Sequence, residues 1–570
     1  MLGKILQNKI YLLFHAIPIL ITLIFTRSIM NGYSLPKLTV LVTGISSLAF
    51  YMLNRNLIKV IKMNIVFIWP IILYASTLIL LSMNNAQNFN LWFFGVDGRL
   101  TGIIHRVFIC IYFILVLLLA TKKVILDSLR ILSFLGFSLS CFAFINLIEP
   151  QMGNNVYKLT FNNTNFSAFF LSISAVSTLY FIHNSVTITN KMFNFSSLVI
   201  QIFLITKIGD TQGYFFVLAG FFLYLTIYIS CKLSNKFLLS WLFISAVTTI
   251  YFLRELSDRK GLLFEFLNTN SFQDRLYLWK YGMEIFKDNL LFGVGLTRYG
   301  DWEPRYRSEE HILKLNLDSS DFSLNPHNAF VQSAVEGGFF LLSVFVLFII
   351  YVTYRGIRSL SDPKNRSLSG TILIIWILYL LSKFVSVDNI SIDIWGMLCG
   401  AYLVYLSSPI SKITNNSMFF SNIDIPLSKR TFLTNLKLPV ITFFILAPNI
   451  YIINNLYQSV QLFNDIRITS QSNNQIQHQE KFIRIVKLSE SAPILEIRLA
   501  VIIHLLKLNQ IDSALIVAKK ATLDFPNRAE GWHALASIYE DLGKNDLASG
   551  FRAKSMELRP LDMTIKSGTN

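Results

Sequence analysis

The sequence predicts an all-α membrane protein, a polytopic bundle of about 12–13 spanning helices, and three observations lead to that class. Hydrophobic residues make up 53% of the 570 positions. Charged residues make up 15%, whereas soluble domains contain roughly 25%. The apolar residues also occur in runs of about 17–25, the length that a helix needs to cross the hydrocarbon core of a bilayer. The same figures exclude a disordered chain and a disulfide-stapled secreted domain.

Each apolar run is interpreted as one helix, because a helix satisfies its own backbone hydrogen bonds in lipid. Thirteen runs are predicted to span the membrane, at 10–29, 37–53, 63–82, 103–121, 128–148, 165–184, 193–209, 211–230, 236–253, 329–354, 369–387, 391–409 and 437–456. The first run is followed by more spans and has no clear small-residue cleavage site. These two features favour a membrane helix over a signal peptide.

The distribution of lysine and arginine orients the helices. With the N-terminus in the cytoplasm, the cytoplasmic segments hold about four times as many of these residues as the opposite short loops. Much of the net charge of +17 then follows from topology, and no nucleic-acid partner is needed to explain it. The long loop at about 254–328 is predicted on the extracytoplasmic side. An odd number of spans puts residues 457–570 there as well, unless one helix is miscounted near 193–230.

The composition changes after the last predicted span, where the chain becomes polar with alternating charge. The stretch from Trp532 to Tyr539 has the W-x2-L-x3-Y spacing of a tetratricopeptide repeat. Ala548 and Pro560 follow where that repeat has a small residue and a proline, and the same two residue types stand 34 residues earlier. The sequence therefore predicts two repeats over 494–561, with a plain helical hairpin as the alternative.

Two domains are expected from this change. Residues 1–456 form a polytopic membrane domain whose extracytoplasmic catalytic loop lies at about 254–328. Residues 457–570 form a helical, α-solenoid-like domain, predicted to be extracytoplasmic. Two repeats alone form only a small hydrophobic core, so we expect this domain to pack against another surface.

Ionisable residues are sparse in the spans and frequent in the outer loops. Those in or near apolar runs are His15, His105, Arg106 and Asp393. A transporter or flippase carries charged groups inside its spans, and no functional charge pair is evident there. The distribution favours an active site at the outer membrane surface over a conduction path.

An amphipathic helix is predicted in the outer loop over 271–289. Its apolar stripe at helical spacing consists of Leu276, Trp279, Met283 and Phe286. Such a helix would lie on the bilayer or on neighbouring spans. The glycine-rich turn at 293–300 lacks the pattern of a nucleotide-binding loop, so its glycines are expected to allow a tight bend.

His327 is the candidate general base. Asn325 and Pro326 predict the N-cap and first residue of a long apolar helix, which would put His327 in its first turn. The positive end of the helix would keep the imidazole neutral and able to accept a proton. The alternative is an interfacial histidine that caps a loop.

Six short segments lie in order along the chain and share the predicted outer location. They are the G-R-x-x-G loop around Arg99, Asn162-Asn-Thr-Asn165-Phe, the D-R-x-x-x-W of Asp274, Arg275 and Trp279, L-F-G-V-G at 291–295, P-H-N at 326–328 and the glycine pair 337–338. Together they resemble the O-antigen ligase and Wzy-type polymerase superfamily, to which protein O-oligosaccharyltransferases are similar. The resemblance covers roughly 90–409. Gln212 departs from it, because many relatives have an arginine there, and Leu341 departs from the ligase pattern.

The resemblance implies an inverting, metal-independent glycosyltransferase of the bacterial plasma (inner) membrane, acting on the extracytoplasmic side in cell-surface polysaccharide or lipopolysaccharide biosynthesis. It would transfer or polymerise glycan from a polyprenyl-diphosphate donor, such as one on undecaprenyl diphosphate, onto an acceptor hydroxyl. The diphosphate leaving group needs cations, and arginine suits phosphate through its planar fork. The expected catalytic residues are His327 and Arg275. The expected substrate-binding residues are Arg99, Arg298, Asn328 and Trp279, with capping as an alternative role for Asn328.

No cofactor and no metal site are expected, because the sequence has no HExxH motif and no acidic pair in the first outer loop. The acceptor stays open: polysaccharide, lipid A core, another cell-surface polymer and protein all offer hydroxyl groups. The protein O-oligosaccharyltransferase is therefore one alternative, and a membrane transporter or flippase is another of a different class. A protein partner bound through the repeats also stays open, as do the sugar and the oligomeric state. A scaffold role is disfavoured, because an anchor needs far fewer spans.

Overall fold

The computed structural model describes residues 2–26, 32–53, 57–84, 89–95, 99–148, 157–232, 257–319, 321–408, 479–490 and 495–562, with isolated positions between 247 and 254 and between 450 and 465. Within these ranges the regular structure is helical and contains no strand. Six helices are long and apolar enough to cross a membrane by length and composition, and five shorter helices are apolar too. The prediction of an all-α polytopic membrane protein is confirmed.

The described part of the membrane domain contains eleven of the thirteen predicted spans. The helices are α1 (Leu2–Leu23), α2 (Leu35–Leu53), α3 (Leu57–Asn84), the short α4 (Phe89–Phe94), α5 (Ile103–Leu119), α6 (Lys122–Ile148), α7 (Thr164–Asn184), α8 (Ile188–Ile208), α9 (Thr211–Lys232), α14 (Ala329–Ser359), α15 (Arg366–Val385) and α16 (Ile390–Leu406). The α8 and α9 helices are separate, as predicted. The predicted runs at 236–253 and 437–456 lie almost entirely outside the described residues.

The central helix of the bundle is α16. Every residue from Ile390 to Tyr405 is buried, which is the expected surroundings of a helix that is apolar on all sides. Two of its glycines let large rings approach: Gly396 meets the Tyr379 ring, and Gly400 meets the Trp376 ring. Small residues at helix contacts bring backbones close together, which is how helices associate in lipid.

One end of the bundle gathers the ends of α1, α2 and α16, and we call it the loop end. The Nζ atom of Lys37 donates to the Thr160 carbonyl oxygen at 2.5 Å and to Ser391 Oγ at 2.8 Å. The Trp395 indole N–H donates to Thr22 Oγ1 at 2.9 Å. These bonds satisfy polar groups that would otherwise be buried without partners.

The described part of the outer loop lies against this end and contains four helices. They are α10 (Gly261–Leu267), α11 (Asn270–Asp288), α12 (Tyr299–Tyr306) and α13 (Glu309–Leu315). The predicted amphipathic helix corresponds to α11, which begins after the N-cap Thr269. Its buried face is not the predicted stripe, because Leu276 and Met283 are exposed whereas Leu278, Tyr281 and Ile285 are buried. Leu276 and Met283 are therefore left free to meet lipid.

A joint of three backbone hydrogen bonds fixes the loop to α14. The N–H groups of Val294 and Gly295 donate to the carbonyl oxygens of Val335 and Glu336 at 2.8 and 3.0 Å, and the Phe339 N–H donates to the Leu290 oxygen at 2.7 Å. The α14 helix is kinked there, because Gly338 has a φ of 64°. The glycine turn and the glycine pair are therefore two sides of one contact.

The C-terminal residues form two helical pairs preceded by a single helix. These helices are α17 (Gln479–Glu490), α18 (Leu495–Lys507), α19 (Ile511–Asp524), α20 (Ala529–Asp541) and α21 (Asn545–Leu558). Ala514, Ala518 and Ala548 are buried where the helices pack. The Trp532 indole N–H donates to the Pro526 carbonyl oxygen at 3.0 Å and links the two pairs. The assignment as tetratricopeptide repeats stays a prediction, as do the domain boundaries.

The joint predicts that Gly293→Ala destabilises the membrane domain more than Gly209→Ala does. The φ angles are 65° and 68°, so both replacements carry the same backbone strain, about 1–2 kcal/mol. Only at Gly293 would the new Cβ meet backbone, 2.4 Å from the Val335 oxygen, whereas none of the described atoms lies within 4 Å of one at Gly209. Thermal unfolding of the purified protein in detergent measures the difference. Equal losses for the two variants would contradict the joint.

Candidate active site

A cavity of about 220 Å³ lies at the loop end of the bundle. Three of the sequence segments contribute to its wall: the loop of Arg99, the asparagine-rich segment 162–165 and the P-H-N segment of His327. The other lining residues are Tyr33, Ser34, Lys37, Phe161, Phe166, Ser386, Val387, Asp388, Asn389 and Ile390. Cationic and amide groups therefore surround a neutral ring in one space.

A closed glycine loop holds Arg99 at this cavity. The Gly102 N–H donates to the Phe94 carbonyl oxygen at 2.8 Å, and the two glycine backbones touch so closely that a Cβ on Gly95 would lie 2.5 Å from the Gly102 nitrogen. The Nη1 atom of Arg99 is buried and has no hydrogen-bond partner among the described residues. Burial lowers the pKa of Arg99 to about 10, and Asp388 opposes that fall, so the guanidinium stays charged at neutral pH. A buried guanidinium N–H without a protein partner is suited to an anionic ligand.

His327 lies immediately before α14 and not in its first turn. Asn328 is the N-cap: its side-chain oxygen accepts from the N–H groups of Phe330 and Val331 at 2.9 and 3.2 Å. The predicted cap at Asn325 was wrong, because His327 has a φ of 52°, a left-handed conformation that cannot continue into a helix. The Asn325 side chain instead accepts from the His327 N–H at 3.3 Å. A non-glycine residue held this way is a typical feature of a functional site.

The imidazole of His327 is neutral at physiological pH. Its pKa is lowered to about 3, mainly by burial and further by the positive charges of Arg99 and Arg275. The negative charge of Asp274 opposes this shift. The predicted neutral state agrees with this direction, but its main physical cause is burial beside two arginines and not the helix end. These interactions also place His327 within electrostatic range of both guanidinium groups.

Arg275 projects from α11 and is buried on the side that faces the bundle. Its guanidinium donates to the side-chain oxygen of Gln212, at 2.8 Å from Nη2 and in a second bond from Nη1. Burial lowers the pKa of Arg275, and Asp210 and Asp274 oppose this. Gln212, the position where many relatives have arginine, is therefore a neutral acceptor for Arg275 here and adds no charge.

Three of the four predicted substrate-binding residues are not among those that line the cavity: Asn328, which caps α14, Arg298 and Trp279. Arg298 forms an ion pair with Asp301 at 3.2 Å and donates to the Val294 carbonyl oxygen at 3.3 Å, so it braces the loop. The Trp279 ring packs against Phe384 with centroids 5.6 Å apart. Their proposed contact with substrate remains untested, and in this structure Arg298 and Trp279 both have a packing role.

Lys37 is a cavity residue that sequence reasoning missed. It is 4% exposed, and its Nζ is fixed by two acceptors from separate parts of the chain. Its position at the start of an apolar run was the one available signal. Neither Thr160 nor Ser391, its acceptors, can be identified without the fold.

A buried ionic network lies below the cavity and was also missed. Arg106 pairs with Glu336 at 2.6 Å and with Asp388 at 3.6 Å, and Lys383 pairs with Asp388 at 2.6 Å and with Asp393. No functional charge pair was predicted in the spans, and Lys383 and Glu336 were not recognised from the sequence as ion-pair partners of residues on other helices. Arg106 and Lys383 thereby pair with Asp388, which lines the cavity together with Arg99 and also interacts with the Arg99 guanidinium.

The arrangement suits an anion beside a neutral base. Two arginines and one lysine surround or approach the same space, and His327 is neutral at its edge. Within the described residues no group of three or more His, Cys, Asp or Glu side chains is arranged to hold a metal ion.

A comparison with known families identifies one similar segment of the chain. Residues 196–346 match the model of a family described as O-antigen ligase. The resemblance to the O-antigen ligase and Wzy-type superfamily is confirmed. The matched segment contains Gln212, Arg275 and His327, whereas Arg99 precedes it. No curated protein matches the chain. The chain is accordingly a multi-pass membrane protein that contains a segment similar to the O-antigen ligase family.

Proposed function

We propose that the protein transfers or polymerises glycan from a polyprenyl-diphosphate donor onto an acceptor hydroxyl, at the extracytoplasmic face of the bacterial plasma membrane. The observation that carries the proposal is the convergence of Arg99 and His327 on one cavity, with Arg275 within electrostatic range. The family match supports the class of reaction, and the cavity supports the roles of these residues.

The donor diphosphate would lie against the guanidinium groups. When the bond between the anomeric carbon and the phosphate oxygen breaks, the electron pair stays on that oxygen and negative charge builds there. Arg99 has a buried N–H group ready for such an oxygen, and Arg275 adds positive charge. Groups that are preorganised in this way stabilise a transition state without rearrangement.

His327 would take the proton of the acceptor hydroxyl while its oxygen forms the new bond to the anomeric carbon. The ring is neutral before reaction, which a general base requires. One displacement of this kind inverts the anomeric centre and needs no metal ion. Asn328 would act by capping α14 and so fixing the end of the helix beside the base.

The acceptor would be set by other polar groups that line the same cavity. Lys37, Asn162 and Asn163 form part of its wall and offer N–H donors to sugar hydroxyls. A glycan acceptor suits this wall better than an apolar one, and a protein hydroxyl is the alternative outcome of the assay described next.

The proposed base is tested with His327→Ala, in membranes supplied with labelled polyprenyl-diphosphate glycan. Loss of the general base is expected to lower the transfer rate by about 100-fold or more. The matched control is His183→Ala, because that half-buried histidine ends α7 at the opposite end of the bundle. The labelled product identifies the acceptor. Equal transfer by wild type and His327→Ala, at equal membrane levels, would contradict the base assignment.

The same assay distinguishes the proposed substrate-binding role of Arg99 from the packing role of Arg298. Arg99→Lys keeps the charge but loses the fork, and a loss of about 10- to 100-fold in kcat/KM is expected. Arg298→Lys keeps its ion pair with Asp301 and is expected to stay within about twofold of wild type. A larger loss at Arg298 than at Arg99 would reverse the two assignments.

The pH dependence of the transfer rate tests the neutral state of His327. The pKa of His327 is about 3, against 6.5 for an ordinary histidine, so kcat/KM is expected to show no acid limb near pH 6.5. A bound diphosphate adds negative charge and raises the pKa, so the acid limb of kcat should lie at higher pH than that of kcat/KM. Initial rates from about pH 4.5 to 8 test this. A kcat/KM limb at 6.5 would mean that His327 is neither buried nor beside two cations.

A further inference from the structure

The C-terminal helices contact the outer loop of their own chain at Phe322. The guanidinium carbons of Arg528 and Arg559 lie over the Phe322 ring, 5.0 and 3.8 Å from its centroid. A second contact lies nearby, where Arg305 of α12 donates to the Asn527 side-chain oxygen at 3.4 Å. Cation–π contacts of this kind are stronger when the cation is desolvated, and both arginines over the ring are less than 10% exposed.

The two arginines are held in place by an acid. Glu530 at the start of α20 pairs with Arg528 at 2.8 Å and with Arg559 at 2.5 Å. Burial would raise the pKa of Glu530, but the two guanidinium groups outweigh it and lower the pKa to about 2. Arg528 precedes α20 and Arg559 follows α21, so both helices of this pair fix the surface that Phe322 meets.

Phe322 begins the segment that leads to His327. Arg307 donates to the Asp321 carbonyl oxygen, and Glu303 holds Arg307 at 3.0 Å. After Phe322, the Ser323 hydroxyl donates to the Asn325 carbonyl oxygen at 2.7 Å. The Asn325 side chain then accepts from the His327 N–H. A continuous series of contacts therefore joins the C-terminal helices to the base.

His327 needs such support because its backbone is left-handed. A conformation of this kind persists only where surrounding contacts over-determine it. On one side α14 provides the Asn328 cap, and on the other side the segment 321–325 supports His327 through the Asn325 side chain. If that segment moves, His327 loses the burial and the arginine neighbours that keep it neutral.

We propose that the C-terminal helical domain clamps the catalytic loop of its own chain, and that Phe322 is a positioning residue that holds His327 at the cavity. The clamp rests on the proposed function for its catalytic consequence, because it acts through the proposed base. Its structural part, the ordering of residues 321–328 by the C-terminal helices, is independent of that function. The C-terminal domain thus has an intramolecular task, whatever else it binds.

The test compares Phe322→Ala with Phe322→Tyr in the full-length protein in nanodiscs. Alanine removes the ring between loop and clamp and leaves the buried core of the C-terminal helices intact; tyrosine keeps the ring. Leu313→Ala is the control in the same loop, because this leucine is exposed on α13. Two readouts are taken: hydrogen exchange of residues 321–328, and the pH dependence of transfer from labelled polyprenyl-diphosphate glycan.

Faster exchange at 321–328 is expected in Phe322→Ala alone. In the transfer assay kcat should fall by about 10- to 100-fold, since displacement of a catalytic group by about 1 Å has an effect of that size. The acid limb of kcat/KM should move to higher pH, because the freed histidine returns toward its ordinary pKa. Phe322→Tyr should behave as wild type. A role in folding alone would lower the amount of active protein without moving the limb.

The outcomes separate the two proposals. Unchanged exchange in Phe322→Ala overturns the clamp. Faster exchange with unchanged kcat and an unmoved acid limb overturns the positioning role of Phe322. If the wild type transfers no label, the proposed function fails, and the exchange experiment still decides whether the C-terminal helices order the loop.

Discussion

The contact between the glycine turn and the kink of α14 is the interaction on which the rest of the site depends. It joins Val294 and Gly295 to the carbonyl oxygens that the kink at Gly338 exposes, and it returns a bond from Phe339 to Leu290. A kinked membrane helix leaves carbonyl groups that lipid cannot satisfy, so they must find partners in the protein. The turn supplies them, and in doing so it fixes how the outer loop meets the bundle.

Glu336 carries this contact into the charged interior. Its carboxylate accepts from the Thr297 N–H at 2.8 Å, from Gln332 at 2.9 Å and from Arg106 at 2.6 Å. The loop, the first turns of α14 and α5 are therefore joined at one acid. Arg106 and Lys383 pair with Glu336 and Asp388, and among the described residues the Nη1 atom of Arg99 has no hydrogen-bond partner. A buried cation without a full set of protein partners is costly unless a ligand completes it, which is the electrostatic reason to expect an anion in this cavity.

The helices and several residues of the candidate site could be predicted from the sequence, because local patterns of residues indicate them. Apolar runs predicted the helices that the structure describes, and the motifs around Arg99, Arg275 and His327 predicted residues that lie near one cavity. What was missed depends on tertiary partners. Lys37 shows no local sign of its two acceptors, and Lys383 looks like an ordinary end-of-helix lysine until Asp388 and Asp393 are seen beside it. The wrong cap has a similar cause: Pro326 suits a first helical residue, but the left-handed His327 delays the helix until Asn328 can cap it.

The binding of the donor diphosphate beside Arg99 and His327 is tested by a structure of the protein with a polyprenyl diphosphate bound. A diphosphate oxygen is expected within hydrogen-bond distance of the Arg99 guanidinium, with the His327 ring facing the glycan side of the same cavity. The Arg275 guanidinium should lie close enough to share the charge. A diphosphate bound elsewhere, with Arg99 and His327 facing an empty cavity, would contradict the central claim that these motifs form one donor site.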